Sequence, residues 1–233
     1  DIIAKFGADT ARAFVMFAGP PDQSAAWSNA GAEGTYRFLR RLWNFCNERQ
    51  EMFETRVKVD PAALTASGKA LRRDMHANLK QADFDYARMQ YNTVVSAAMK
   101  MLNAIEDARL GTSPAESGLL QESVGILLRA LYPIAPHITH TLWNELGYAA
   151  EHGIEIIDAP WPQADPAALH QDEIELVVQV NGKLRASIRV PVKADKAAIE
   201  QAAIGDKNVQ KFVAGQPVKR VVVVPGKLVN LVV

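Results

Sequence analysis

The hydrophobic period of this 233-residue chain changes once, and that change limits the fold more than any other feature. Up to about residue 150, apolar residues recur at three- and four-residue spacing, the mark of helices with one buried face. From Glu173 the spacing drops to two: Leu176, Val178 and Val180 alternate with Val177 and Gln179, as in strands covered on one side. The pattern predicts a helical body followed by a small α+β module.

Within the helical part, a short helix is expected from about Asp9 to Phe17, stopped by Gly19-Pro20-Pro21. Residues 32–50 form the clearest amphipathic pattern. Phe38, Leu39, Leu42, Trp43, Phe45 and Cys46 share a wide apolar arc that also takes in Tyr36, and Arg37, Arg40 and Arg41 lie close together on the polar edge. Asp60-Pro61 reads as a cap and first residue of the next helix, with Leu64, Gly68, Leu71, Met75 and Leu79 inward. A third helix is expected from about Asp85 to Ala108, then a loop over Gly111–Gly118. Leu120, Val124, Leu127, Leu128 and Leu131 continue at helical spacing until Pro133, which lacks an amide hydrogen and clashes with the preceding turn. Pro136 can open the next helix, and Gly147 suits its C-terminal cap. Ala159-Pro-Trp-Pro162 reads as an extended connector anchored by its indole ring. The domain boundary is placed at residue 165.

In the second module Asn181-Gly182 signals a two-residue hairpin, since both residues accept a left-handed backbone. Strict alternation then puts Leu184, Ala186, Ile188 and Val190 on the buried face and Lys183, Arg185, Ser187 and Arg189 on the other. Asp195 can cap a helix ended by Gly205, and a further turn or two stops at Gly215. Two more strands follow, joined by a Pro225-Gly226 turn, to give a ββαββ order.

Charge follows the same division. Residues 1–165 hold 16 Lys+Arg against 20 Asp+Glu, whereas residues 181–233 hold 10 against 3. A basic module of this kind suits a polyanion, although a merely solvated basic surface fits as well. The same choice stands for Arg37, Arg40 and Arg41, and for Arg72 and Arg73. A single cysteine, Cys46, excludes an intrachain disulfide framework and a multi-cysteine zinc site, and reads as an inert core thiol. His137 and His140 share a helical face, but lack an acidic or cysteine ligand at matching spacing, so they read as a partly buried imidazole pair and no metal is expected. No apolar run approaches membrane-spanning length and no secretory leader is legible. Asp1 running directly into Ile2-Ile3-Ala4-Lys5 reads as part of a longer chain.

Several motifs carry a family resemblance. Pro133-x-Ala135-Pro136-His137 followed by Leu142-Trp143, and Phe38-Leu39-Arg40-Arg41-Leu42-Trp43-Asn44 before it, resemble the anticodon-binding helical bundle of class I aminoacyl-tRNA synthetases. Gly7-Ala8-Asp9-Thr10-x-Arg12 with Gly19-Pro20-Pro21 and Trp27-Ser28 is similar to the segment after the Lys-Met-Ser-Lys-Ser loop of those enzymes. Val178-Gln-Val-Asn-Gly-Lys-Leu-Arg185 with Pro225-Gly-Lys-Leu-Val-Asn-Leu-Val232 resembles the C-terminal domain of the bacterial leucyl-tRNA synthetase family.

The resemblance implies three parts: residues 1–30 from the stem-contacting segment, 31–165 as the anticodon-binding bundle, and 166–233 as a C-terminal tRNA-binding domain. It implies tRNA(Leu) as partner in a cytoplasmic, monomeric, membrane-free setting. Leucine and ATP, with Mg, would bind a catalytic domain whose Lys-Met-Ser-Lys-Ser and His-Ile-Gly-His signatures are missing from these residues, so no cofactor and no catalytic residue is expected here. The candidate tRNA-binding residues are Arg37, Arg40, Arg41, Lys183, Arg185, Arg189, Lys219, Arg220 and Lys227. The alternative is a protein-docking or intramolecular scaffold without RNA contact.

Overall fold

A computed structural model describes residues 2–24, 26–170, 173–213, 216–224 and 226–233. The helical elements are α1 (Ile2–Phe6), α2 (Ala8–Ala18), α3 (Asn29–Asn47), α4 (Glu51–Glu54), α5 (Ala66–Ala87), α6 (Tyr91–Ala108), α7 (Pro114–Leu131), α8 (Pro136–Glu145), α9 (Tyr148–His152) and α10 (Pro166–Leu169). The remainder runs β1 (Glu173–Val180), β2 (Lys183–Pro191), α11 (Lys196–Gly205), α12 (Lys207–Val213), β3 (Arg220–Val224) and β4 (Leu228–Val232). The chain divides into two compact units, residues 1–169 and 170–233, so α10 belongs with the helices. Asp1, the expected stop at Gly215 and the Pro225 half of the expected turn lie outside the described residues.

Helix ends in the first unit follow local chemistry, with three departures from the sequence pattern. Asp60 does not cap α5. It closes an isolated turn by accepting the Ala62 amide, and the helix starts later with Thr65 accepting from the Gly68 amide. The helix expected from Asp85 is two helices, because Met89 adopts a left-handed backbone with φ 56° and α5 runs on to Ala87. The segment read as a loop over Gly111–Gly118 already contains the start of α7. There the Ser113 hydroxyl accepts from the Glu116 amide and donates back to the Glu116 carboxylate, a capping box with Pro114 in the first turn.

One continuous apolar core fills this unit, including Leu42, Met75, Met101, Leu120, Leu127 and Trp143, each at most 1% exposed. Trp143 stacks on Tyr148 at 4.8 Å and donates its indole hydrogen to the Ile154 carbonyl. Gly118 sits inside α7 because the 57–59 backbone crosses it: a Cβ there would stand 3.1 Å from the Val57 carbonyl oxygen. Cys46 is fully buried, and burial pushes its thiol up to about 12 against the opposing pull of Arg49. It is inert at neutral pH.

The second unit carries a four-stranded sheet of order β2-β1-β4-β3, with β1 and β4 parallel and both outer pairs antiparallel. Asn181 and Gly182 both have positive φ, 50° and 77°, as a type I′ turn requires. Two helices, one more than the expected ββαββ order, lie between the strand pairs. Asp206 caps the extra one by accepting the Asn208 and Val209 amides. Leu176, Val178, Val180, Val229 and Leu231 line the sheet face that packs on Ile199, Ala203 and Val209 of α11 and α12.

Candidate nucleic-acid interface

The helix-free face of the sheet follows from the register. Val178 and Val229 are partners on the covered face, as are Val180 and Leu231, so Glu175, Val177, Gln179, Leu228, Asn230 and Val232 point the other way. On β3, Arg220 pairs with Val232 and joins that open face. On β2, Arg189 pairs with Glu175 and joins it too.

The hairpin departs from strict alternation. Val178 pairs with Ala186, but Gln179 pairs with Leu184 and Val180 with Lys183. Arg185 is therefore an extra residue, a β-bulge beside the turn. This corrects two expectations. Leu184 is not buried but 64% exposed, carried to the open face by its pairing with Gln179. Lys183, Arg185 and Arg189 do not share an outer face: Arg189 alone is on the open face, Lys183 pairs with Val180 of the covered face, and the Arg185 guanidinium lies 4.0 Å over the Phe212 ring of α12. Lys183 itself is exposed at the mouth of the turn, in register with buried Val180.

Register also sorts the remaining cations into two groups. Arg220 pairs with Val232, and the Lys219 amide donates to the Val232 carbonyl. Both therefore stand at the end of the sheet that carries the Asn181-Gly182 turn and Lys183. The Lys227 carbonyl accepts from the Val177 amide, which places Lys227 toward the opposite end with Arg189. All five are exposed, and none takes part in an ion pair or side-chain hydrogen bond among the described residues. Asn181 and Asn230 brace the first end. The Asn181 side chain accepts from the Val233 amide and the Asn230 side chain from the Gly182 amide.

On α3 the three arginines do not form one ridge. Arg41 turns toward α6, where it donates to Asn103 and pairs with Glu106. Arg40 faces α2 and α8 and borders a cavity there. Arg37 is exposed between them. Tyr36, read as part of the apolar arc, is 38% exposed and packs on Phe6.

Arg72 is not a surface cation at all. It is buried and donates to Glu122 at 2.7 and 2.8 Å and to Asp165 at 2.8 Å. The Glu122 hydrogen bond raises the Arg72 pKa further, against burial, which lowers it. The Asp165 amide donates to His76 Nδ1, and the Asp165 side chain accepts from the Ala167 amide. Arg129 donates to the Pro160 carbonyl and Trp161 meets Tyr86 edge-on at 5.3 Å. The connector is thus fastened to the helices as far as α10. Arg73 is half-buried beside Asp74.

The two longest motifs of the helical part meet. The Asp9 carboxylate accepts from the His137 and Ile138 amides, and Arg12 donates to the Ile134 and Pro133 carbonyls. One short helix thereby caps both sides of the Pro133–Pro136 corner. His137 and His140 are exposed, not partly buried: their side chains are 74% and 51% accessible, set against Asp9 and Glu155 respectively. Among the described residues no group of three His, Cys, Asp or Glu side chains is placed to hold a metal. No helix among them is long and apolar enough to cross a membrane.

Comparison with known proteins gives three results. A family model described as the anticodon-binding domain of tRNA ligase matches residues 68–201. The leucine–tRNA ligase of Methylibium petroleiphilum is 60% identical over 233 residues, 100% of this chain and 26% of that protein. That of Janthinobacterium sp. (strain Marseille) is 57% identical over 230 residues, 99% of this chain and again 26% of the relative. The chain therefore spans about a quarter of the length of the curated relatives it matches. In fold it resembles the crystal structure of the ternary complex of Agrobacterium radiobacter K84 agnB2 LeuRS-tRNA-LeuAMS, with a TM-score of 0.74 and 23% identity, over 99% of this chain and 29% of that one.

Proposed function

This chain belongs to the family of anticodon-binding domains of tRNA ligases, and from that premise we propose that it is the tRNA-holding part of a leucine–tRNA ligase. The observation that carries the proposal is the set of unpaired cations on the second unit. Lys183, Lys219 and Arg220 collect at one end of the sheet, and no carboxylate among the described residues neutralises them. Exposed cations without protein partners suit the phosphates and sugars of a folded RNA.

In this reading the chain itself performs no bond chemistry. ATP with Mg and leucine are bound by parts of the ligase that these residues do not span, and the chain fixes the body of tRNA(Leu) so that its acceptor end reaches them. Binding energy far from the reacting atoms raises rate when it fixes geometry. Capping of the Pro133–Pro136 corner and fastening of the connector by Arg72 supply the rigid support that such positioning needs.

The test is fluorescence anisotropy of labelled tRNA(Leu) titrated with the whole chain at two salt concentrations. Neutralising about four phosphates should lower affinity on the order of a hundredfold between 50 and 200 mM salt. No saturable binding at low salt would overturn the proposal and favour a protein-docking role.

A further inference from the structure

A cavity of about 510 Å³ opens in the helical unit between α2, α3 and α8, within the size range of small-molecule sites. One wall is aromatic: Phe6, Tyr36 and Trp43, with the Phe6 and Tyr36 rings 5.9 Å apart. Arg40, Asn44 and His137 bring the polar atoms.

Arg40 differs from Arg41, Arg12 and Lys5, and unlike Arg37, equally unpaired among the described residues, it lines the cavity. Arg41 is held by Glu106, Arg12 by two carbonyls, and Lys5 lies 3.9 Å from Glu33 and 4.7 Å over the Phe6 ring. The Arg40 guanidinium has no ion pair or side-chain hydrogen bond among the described residues. The carboxylate bordering the cavity, Asp9, is already occupied by two amides and by His137 Nδ1 at 2.7 Å. That contact fixes the imidazole and leaves Nε2 on the open side. The cavity thus offers flat apolar rings, an unneutralised guanidinium, a fixed imidazole edge and one side-chain amide.

A flat heteroaromatic ring that carries an anionic group matches this combination. Rings stack on rings whatever the base, guanidinium takes phosphate in a forked hydrogen bond, and an amide can meet the edge of a base. We propose that the cavity is a nucleotide site, with an unstacked base among Phe6, Tyr36 and Trp43, its phosphate on Arg40, and the His137 Nε2 lone pair free to accept from an amino group of the base. The nucleotide can be a free mononucleotide or one residue of a bound tRNA. The second source rests on the proposed function; the first does not.

Two measurements on the whole chain separate these. The first follows the Trp43 indole and Ile138 methyl signals by NMR during titration with AMP, CMP, adenosine and inorganic phosphate. The second is tRNA(Leu) anisotropy. Both are repeated in Arg40→Gln and Tyr36→Ala, whose exposed side chains leave the core intact; thermal unfolding checks that. If the source is free, AMP or CMP shifts both signals, while adenosine, and AMP with Arg40→Gln, bind about tenfold more weakly. If the source is tRNA, both variants weaken tRNA binding fivefold or more, and only Arg40→Gln lowers the salt slope, by about one. Either result supports the site. Inorganic phosphate binding as well as AMP would refute the base pocket. Silence of every mononucleotide, with tRNA binding unchanged in both variants or absent altogether, would overturn the site. Absent tRNA binding alone would overturn the proposed function and leave the mononucleotide titration to decide this one.

Discussion

Asp9 and His137 stand 128 positions apart, yet the Asp9 carboxylate accepts both the backbone amide and the Nδ1 hydrogen of His137, at 3.3 and 2.7 Å. A third bond, from the Ile138 amide at 2.7 Å, completes the cap of α8. An N-terminal cap supplied from a distant helix satisfies donors that Pro136 leaves open and places a negative charge at the positive end of the helix.

Asp9→Ala should therefore destabilise the helical unit by about 2 kcal/mol, the upper range for loss of a cap, because several donors lose their partner together. Asp9→Asn should recover about half, since an amide oxygen still accepts. Urea denaturation of the whole chain measures both. A cost below about 0.5 kcal/mol for Asp9→Ala would show that α8 stands without it.

The Arg72 cluster predicts an acid-sensitive contribution. Burial would raise the Glu122 pKa, but neighbouring His76 and Arg72 outweigh it and hold it below its usual 4.5. Asp165 is held below 3.8, first by the Arg72 hydrogen bond and then by the Ala167 amide. Both carboxylates titrate lower when folded than when unfolded. Their stabilisation is complete above about pH 4.5 and is lost as pH falls through the folded values. Glu122→Gln should cost about 3 kcal/mol at pH 7, because Arg72 keeps a buried charge with a partner removed. The gap to the parent chain should narrow toward pH 3. A gap independent of pH would contradict the cluster.

The bulge in β2 predicts different consequences for adjacent hairpin cations. Arg185→Ala uncovers the Phe212 ring and should lower stability by about 1 kcal/mol, as for a partly desolvated cation–π contact. Lys183→Ala should leave stability within about 0.5 kcal/mol. Thermal unfolding by circular dichroism compares them. Equal stability in the two variants would place Arg185 outside the fold's support.

A chain that only holds tRNA should show no leucine-dependent exchange between ATP and pyrophosphate. Exchange above background would overturn the division of labour proposed here.

The sequence made some of this legible for reasons that are local. Asn181-Gly182 dictates its own turn, Pro133 and Pro136 dictate a helix stop and start, and a change of period needs only neighbours a few residues away. Ser113 and Glu116 were equally local, but Gly111 and Gly118 disguised them as loop. The bulge at Arg185 could not be seen, because alternation counts residues on one strand and a bulge is a mismatch between two. Arg72 looks like Arg73 in sequence; only its distant partners Glu122 and Asp165 make burial tolerable. Arg40 and Arg41 differ by 100° on a helix wheel, and what each meets at that angle is decided by α6 and α8.

The salt slope of tRNA(Leu) binding tests most directly whether one end of the sheet meets RNA phosphate. In the triple variant Lys183→Ala, Lys219→Ala, Arg220→Ala, the slope of log affinity against log salt should fall by about 2 to 3, near 0.9 for each phosphate that is no longer neutralised. The pair Arg189→Ala, Lys227→Ala at the other end should change it less. The same slope in the triple variant and the parent chain, at equal affinity, would remove this end of the sheet from the interface and contradict the tRNA-holding role assigned to it.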